Sequence, residues 1–282
     1  MPLDIKNREL VLLDRIIKFF VSVVYYAVSE IYHSFKRYFG SKRKSRIVIL
    51  MYHSISAEFL SEFKRQVEGM QKIGRIIPLD QLDVSSEGEI TFAITFDDGF
   101  RSTAEIGFHF LNELGVPSTI FIPSGGLGKG PHWVTDPDHR YYHETIIDED
   151  DLRKLSAGIV EVGSHCVSHR RLTYLPLEEV QRELEDSKQS LEKIMEKPVR
   201  FLAFPFGDYD DNILSLSRSS GYEKVFAGGP VPNNHPQSGF LFGRIDIYPH
   251  DWPVESWLKF QGAYNWLPFA ITLKRKIRSW IS

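Results

Sequence analysis

Short apolar runs alternate with amphipathic segments along most of the chain. The apolar runs predict buried strands at 46–52, 91–96, 118–122, 159–162, 201–204 and 224–227. Apolar residues that recur at helical spacing between these runs predict helices at 58–73, 104–114, 150–155 and 177–195. Strands that alternate with helices are typical of βαβ units, which form parallel sheets. The pattern therefore predicts an α/β domain in the body of the chain.

Polar or aromatic residues follow several of the predicted strands directly. His53, Asp97, Asp98, His165 and Phe206 all stand at such strand ends. In barrels of parallel strands the active site is built at the carboxyl ends of the strands. We therefore expect these side chains to meet at one rim of a barrel.

Two of these strand ends carry the elements of a metal site. Asp97 and Asp98 are adjacent carboxylates, and His165 and His169 are imidazoles four residues apart. Each imidazole can give one nitrogen to a metal, and a carboxylate completes a set that leaves positions for water and substrate. Each pair alone is common in turns or on solvated surfaces, but their combination at strand ends favours metal-assisted hydrolysis, with one carboxylate left to accept a proton.

The N-terminal segment, residues 10–32, is rich in apolar side chains. Asp14, Arg15 and Lys18 interrupt it, and its uninterrupted apolar part, 19–28, is about half of the roughly twenty residues that a membrane span needs. Acidic residues precede the apolar part and no small-residue cleavage site follows it, so we expect no cleavable signal peptide.

On a helix at about 100° per residue, this segment separates into two faces. The polar face holds Asn7, Arg8, Asp14, Arg15, Lys18, Ser22, Ser29, His33 and Lys36. The apolar face holds Leu10, Leu13, Ile17, Phe20, Val24, Ala27 and Ile31. With the basic run Lys42-Arg43-Lys44, the pattern predicts a helix in the interface of an anionic membrane. The alternative is a core helix packed on the domain or on a second subunit.

The C-terminal segment repeats this design. Phe269, Leu273, Ile277, Trp280 and Ile281 recur at helical spacing, with Lys274, Arg275, Lys276 and Arg278 between them. Such a tail suits an anionic membrane surface, although an edge helix of the barrel is equally compatible. We thus expect an amphipathic segment at 1–44, a catalytic domain at 45–255 and a basic tail at 256–282. Together the ends predict a peripheral protein on the cytoplasmic face of a membrane.

Composition narrows the function further. The 282 residues carry a formal net charge of −3, so no global basic field argues for a nucleic-acid partner. The single cysteine excludes an intrachain disulfide. It is Cys166, between the two histidines, and we expect it to be a small packing residue. Nothing in the sequence predicts the oligomeric state.

Three motifs resemble a known family. Thr95-Phe96-Asp97-Asp98-Gly99 and Ser164-His165-x-x-x-His169 resemble the first two signature motifs of the polysaccharide deacetylases, the NodB-homology enzymes of carbohydrate esterase family 4. Phe204-Pro205-Phe206-Gly207 resembles the third, and the resemblance covers residues 46–252. It implies a distorted (β/α)7 barrel that removes an N-acetyl group from an amino sugar, in a polysaccharide or a lipid-linked glycan.

The resemblance also implies roles for these residues. Asp97 would be the general base, and Asp98, His165 and His169 would hold a divalent metal, zinc first and cobalt or nickel as alternatives. The backbone at Pro205 and Phe206 would help to hold the oxyanion.

The histidine that protonates the leaving amine usually lies in a late Leu-x-x-His motif, which this chain lacks after Trp252. The early run Ile49-Leu50-Met51-Tyr52-His53 is similar to it, as in circularly permuted members such as the poly-N-acetylglucosamine deacetylases. This similarity implies that His53 is the general acid. The alternative is a strand-end histidine packed on Tyr52.

Two departures from the family pattern affect the base. Ala203 stands where many members carry an arginine that contacts the base, and Arg200 or Arg244 could replace it, with Arg244 preferred. The fourth motif, an Asp-Trp neighbourhood, is met loosely by Asp246 or by Asp251-Trp252. We expect Arg244, Asp246 and Trp252 near the substrate, with Pro205 and Phe206.

The long segment 125–143 carries Trp133, Tyr141 and several histidines, and its length predicts a lid over the barrel mouth. Its aromatic rings could stack on sugars or could plug the mouth structurally. Two other functions stay open: a catalytically silent glycan-binding barrel in a membrane assembly, and a deacylase for another acyl group.

Overall fold

The structure is a computed structural model that describes residues 5–42, 45–83, 88–156, 158–231, 239–267 and 270. Arg43, Lys44 and the expected tail residues from Phe269 onward, except Ala270, lie outside the described residues.

Eight strands and seven α-helices occupy the described residues. The strands are β1 Arg46–Tyr52, β2 Arg75–Ile76, β3 Ile90–Phe96, β4 Ser118–Ile122, β5 Val160–Ser164, β6 Phe201–Ala203, β7 Lys224–Gly228 and β8 Leu241–Asp246. The helices are α1 Ile5–Tyr38, α2 Leu60–Ile73, α3 Phe108–Glu113, α4 Glu149–Ser156, α5 Leu177–Met195, α6 Asp211–Ser219 and α7 Pro253–Phe260. A π-helical turn, Thr103–Gly107, leads into α3.

Seven of the described strands form a closed parallel barrel, which confirms the expected (β/α)7 fold. The order runs from β3 through β4, β5, β6, β7 and β8 to β1, and β1 then pairs with β3. The closing pair extends from Arg46 opposite Ile90 to Tyr52 opposite Phe96. By contrast, Ser164 opposite Leu202 is the whole of the β5–β6 pairing. The barrel is therefore distorted, and the short strand β2 adds only an outer pair on β3.

Alternate residues of each strand face the inside of the barrel, because side chains of a strand point to opposite faces in turn. Ile49, Ala93, Phe121, Ala203 and Phe226 form the buried inner cluster. The residues of opposite parity pack under the surrounding helices, which explains why β3 and β4 are buried along their whole length.

This alternation also selects the residues at the rim. Counting by twos from Ile49 leads to His53, and counting by twos from Ala93 leads through Thr95 to Asp97. The sequence periodicity that fills the barrel therefore aims these polar side chains at its mouth.

Strand β8 is one of the elements that the sequence pattern misses, together with the short strand β2 and helix α7. Gly243, Arg244 and Asp246 break its apolar run. The structure places Arg244 inside this strand and fully buried. A charged residue can occupy such a position because its partner is buried beside it, as the site below shows.

Helix α7 crosses the boundary expected between residues 255 and 256. Its Leu258 and Phe260 are buried, and the ring of Phe260 packs against Phe92 of the barrel. A buried ion pair joins Lys259 to Asp251 at 2.6 Å. The packed unit therefore continues through this helix.

Helix α1 lies against α7 with its polar face inward. Arg15 pairs with Glu255 at 2.6 Å and with Asp251 at 3.5 Å. Ser22 is buried and accepts a hydrogen bond from Trp266 Nε1 at 2.9 Å. Most of the described side chains of the apolar face point to solvent, while Phe19 and Tyr26 pack on the cluster of Leu258, Ala263 and Tyr264. The helix therefore rests on its own domain mainly through its polar face, and its membrane contact stays a prediction.

Within the described residues, no helix combines the length and the hydrophobicity that crossing a bilayer requires.

Candidate metal centre

Two strand ends and the loop after the second strand bring the three predicted ligands together. Asp98 follows β3, His165 follows β5, and His169 lies in the loop beyond it. Asp98 Oδ1 lies 3.0 Å from His169 Nε2 and 3.6 Å from His165 Nε2. All three side chains are buried.

The geometry and chemistry of this cluster fit a divalent cation. Zinc ligands lie about 2.0–2.2 Å from the metal, so neighbouring ligand atoms lie roughly 3–3.5 Å apart. Asp98 Oδ1 is buried and receives no hydrogen bond from the described residues. A buried anionic oxygen without a partner is costly unless a cation meets it.

The protonation states also favour metal binding. His165 Nδ1 lies 2.7 Å from the carbonyl oxygen of Ala203, which can only accept, so Nδ1 carries the proton and Nε2 keeps its lone pair. Burial lowers the pKa of His165 to about 4, which keeps the ring neutral. Burial alone would raise the pKa of Asp98, but the adjacent His169, and then the charges of His53 and His165, lower it to about 2.

The backbone around the cluster is strained. Five non-glycine residues of the described chain have positive φ, and four of them surround this site: Asp98, Cys166, His169 and Phe206, at 69°, 64°, 53° and 60°. Such conformations persist where the surrounding structure holds them, and they concentrate at functional sites. Gly207 fits the same turn because its Cα lies so close to Gly228 that a Cβ would stand 2.2 Å from the Gly228 nitrogen.

Glu183 of α5 holds the loop between the two histidines. One carboxylate oxygen accepts the N–H groups of Val167 and Ser168 at 2.8 and 2.9 Å. The other accepts the Ser168 hydroxyl and a hydrogen bond from Arg170. Burial alone would raise the pKa of Glu183, but these donors lower it, so the carboxylate stays charged. The sequence motifs do not reveal this residue. Its signal is an acidic residue on the buried face of α5, between Val180 and Leu184.

Asp97 is bound by an arginine instead of joining the cluster. Arg244 NH1 and NH2 donate to its two oxygens at 2.6 and 2.7 Å, and the guanidinium is fully buried over the ring of Phe121. Burial alone would raise the pKa of Asp97, but the charge of Arg244, and then that of His165, lowers it. Arg200 lies elsewhere and pairs with Glu161.

His53 follows β1 and faces the lid. Its ring stacks on Tyr141 with centroids 5.7 Å apart and planes 14° apart, and its Nδ1 is buried without a hydrogen bond from the described residues. Tyr52 instead belongs to the outer layer, where its hydroxyl donates to Gln66. The expected alternative, a histidine packed on Tyr52, is therefore not what this strand end shows.

The lid covers the histidines with aromatic rings. Trp133 stacks on His169 at 4.0 Å, and Phe206 meets the same imidazole edge-on at 4.9 Å. The rings of Trp133 and Tyr141 thus pack on His169 and His53, and their use against sugar rings stays a prediction.

The other residues predicted to lie near the substrate, Pro205, Asp246 and Trp252, lie in different parts of the structure. Pro205 is buried in the turn that presents Phe206, and Asp246 is exposed at the end of β8. The structure does not bring Trp252 to the metal cluster: its ring packs on Phe19 and under Arg15 of α1.

The comparisons with known proteins decide the family. A family model described as Polysaccharide deacetylase matches residues 85–225, which is half of the chain. The chain belongs to the polysaccharide deacetylase family. YxkH of Bacillus subtilis, a protein assigned to the polysaccharide deacetylases, is 21% identical over 220 residues, covering 74% of each chain.

Two further proteins similar to this chain are covered to different extents. The peptidoglycan-N-acetylmuramic acid deacetylase PdaC of Bacillus subtilis is 27% identical over 153 residues, which cover 54% of this chain and 29% of PdaC. The solved structure of IcaB from Ammonifex degensii superposes with a TM-score of 0.63 at 19% identity, over 77% of this chain and 99% of that chain. At this identity the IcaB match supports the fold alone.

Replacing Arg244 with glutamine should leave the buried Asp97 carboxylate without its cationic partner. Removing one partner of a buried ion pair costs about 3–5 kcal/mol, so we expect a clear loss of thermal stability. Without the charge of Arg244, burial would raise the Asp97 pKa. The acidic limb of the pH profile of kcat/KM should therefore move to higher pH. Arg200→Gln is the matched control and should behave as wild type. An acidic limb unmoved in Arg244→Gln would contradict the assignment.

Replacing Glu183 with glutamine should weaken zinc binding. The amide nitrogen would face N–H donors, so the loop that carries His169 loses its anchor, and we expect about a 10–100-fold higher zinc Kd. Competition with a chromophoric chelator measures this directly. Glu179→Gln is the control, because Glu179 pairs with the same Arg170 at 2.9 Å, whereas the N–H groups of Val167 and Ser168 bond to Glu183. Equal zinc affinity in both variants would remove Glu183 from this role.

Proposed function

We propose that this polysaccharide deacetylase is a metal-dependent hydrolase that removes an N-acetyl group from an amino sugar of a polysaccharide or lipid-linked glycan. One observation carries the proposal: a buried carboxylate, Asp97, stands beside a three-ligand cluster without belonging to it. Its Oδ2 lies 3.9 Å from His165 Nε2. A base next to a metal is the arrangement that amide hydrolysis requires. The name of PdaC, which specifies an N-acetylated sugar of peptidoglycan, supports this substrate class.

Asp98, His165 and His169 would hold the cation, for which zinc is the first choice and cobalt or nickel are alternatives. When bound, such a cation polarises a carbonyl and lowers the pKa of water. Asp97 would accept the proton of the attacking water. Arg244 fixes the orientation of this carboxylate and keeps it ionised, so that it is ready to accept at neutral pH.

His53 and the backbone at Phe206 would carry out the remaining steps. The new bond joins the water oxygen to the acetyl carbon, and the breaking bond is the C–N bond of the amide. His53 would give its proton to the leaving nitrogen, so the products are acetate and the amine. Gly207 N–H already donates to the Phe204 carbonyl at 2.8 Å, which leaves Phe206 N–H as our proposed oxyanion donor.

The catalytically silent alternative rested on the arginine missing at Ala203 and on the loosely met fourth motif. Arg244 contacts Asp97 from β8, which removes the first of these two reasons. The other alternative is that the enzyme removes an acyl group other than acetyl. Hydrolysis of a panel of differently acylated substrates distinguishes this alternative.

Asp97→Asn should abolish turnover while keeping the metal. General-base catalysis contributes roughly 10²–10⁴-fold, so acetate release from N-acetylglucosamine oligomers should fall by about that factor. Zinc content, measured by elemental analysis of the purified protein, should stay at the wild-type level because Asp97 is not a ligand. Asp150→Asn, at an exposed position, is the control. Undiminished acetate release would remove Asp97 as the base.

His53→Gln should discriminate between leaving groups. Amide cleavage needs a protonated amine, so acetate release should fall by about 10²–10⁴-fold. Hydrolysis of 4-nitrophenyl acetate should change far less, since nitrophenolate leaves without a proton. The exposed His109, replaced in the same way, serves as the control. Equal losses on both substrates would show that His53 does not act as the leaving-group acid.

A further inference from the structure

Helix α1 presents its apolar side to solvent. Phe20, Val24 and Ile31 are 62%, 63% and 70% exposed. The other large apolar residues exposed on this helix are Leu12, Leu13, Ile17, Val21, Val23, Tyr25, Val28, Tyr32, Phe35 and Tyr38. A surface helix of a globular protein normally turns this side toward the core. The inverted orientation therefore indicates a surface that binds something apolar.

The inversion is fixed by specific contacts. Arg15 reaches two buried carboxylates of the α7 region, Asp251 and Glu255, and its guanidinium lies 4.6 Å from the centre of the Trp252 ring. About two turns further on, the Ser22 hydroxyl accepts a hydrogen bond from the indole N–H of Trp266. These contacts lie on one side of α1 and determine its rotation about its own axis. The apolar side can then only face outward.

The exposed apolar side is too broad for a coiled-coil partner. At 100° per residue, the side chains from Leu12 round to Tyr25 span an arc of about 220°. A second copy of the helix would bury the narrow seam of Leu13, Ile17 and Phe20 and leave much of this arc in water. The acyl-chain region of a bilayer is fluid and can cover the whole arc.

Helix α7 extends the same surface. Trp252, Val254 and Trp257 are 41%, 55% and 39% exposed, and the two tryptophan rings contact Phe19 and Tyr26 of α1. Tryptophan and tyrosine are enriched where proteins meet the headgroup region of membranes.

The charges of this segment complement an anionic surface. Residues 5–44 contain nine Lys and Arg but three Asp and Glu, a net charge of +6 in a chain whose total is −3. Between Lys18 and Glu30 the helix carries no charged residue. An uncharged apolar stretch with basic flanks suits acyl chains beneath anionic headgroups.

We propose that the outward side of α1, together with Trp252, Val254 and Trp257, binds the surface of a bilayer that contains anionic lipids. The loop that leads into α7 begins at the carboxyl end of β8, so this surface adjoins the rim of the barrel. If the proposed function holds, lipid-linked or membrane-proximal glycans would be within reach of the site. The surface itself requires no catalysis, and the cytoplasmic placement stays a prediction.

Vesicle flotation of the full-length protein tests this proposal. Wild-type protein should float with vesicles of phosphatidylcholine and phosphatidylglycerol, and less with phosphatidylcholine alone or in high salt. The triple variant Phe20→Gln, Val24→Gln, Ile31→Gln should bind anionic vesicles at least tenfold more weakly, because three exposed apolar side chains are lost. Leu114→Gln with Tyr174→Gln, which changes exposed apolar residues outside α1 and α7, should bind as wild type.

Two measurements separate the possible outcomes. Sedimentation without lipid would overturn the proposal if it shows a dimer that the triple variant dissociates while wild type ignores vesicles. Equal flotation of the wild type and the triple variant would also overturn it. Acetate release from a soluble oligomer should be the same in wild type and triple variant, so failure of the membrane proposal and failure of the proposed function are read separately.

Discussion

The buried pairing of Asp97 with Arg244 joins the end of β3 to β8, which lie far apart in the sequence. This pairing determines what the site can do. A charge in the barrel interior requires a partner, and each of these residues supplies the other's. The fork of the guanidinium takes both carboxylate oxygens, so Asp97 cannot turn toward the histidines to become a ligand. Arg244 therefore separates Asp97 from Asp98, which lies in the candidate metal cluster, and this separation supports the two roles proposed for these carboxylates. Phe121 supports the guanidinium from below and ties this arrangement to the inner cluster.

A second layer of residues orients the metal ligands. The Ala203 carbonyl selects the tautomer of His165, and Glu183 gathers the N–H groups of the loop that ends at His169. Trp133 and Phe206 then hold the His169 ring from two directions. Each contact comes from a different element, which explains how a strained backbone at Cys166 and His169 is maintained.

The sequence predicted the fold class and the three members of the candidate metal cluster because both depend on local signals. Apolar runs mark strands, and Asp98, His165 and His169 lie in short motifs at their ends. Arg244 lies 147 residues from Asp97, and no local pattern encodes that contact. Arg244 was preferred over Arg200 only because it was expected to follow a strand. β8 was missed because its polar residues serve the mouth of the barrel. Trp252 was expected at the substrate, but its aromatic ring serves the α1 contact, and the helical pattern of α1 defined two faces without saying which one turns inward.

The place of β1 in the barrel has a consequence for how the molecule assembles. This first strand closes the barrel between β3 and β8, so it must wait for the last strand to be made. During synthesis Asp97 has no arginine beside it until Arg244 has left the ribosome, and such distant pairings form late. α1 emerges long before then. The contacts that orient α1 come later still, because Asp251, Glu255 and Trp266 follow Arg244 in the chain, so the rotation of this helix is set only after both halves of the buried pair exist.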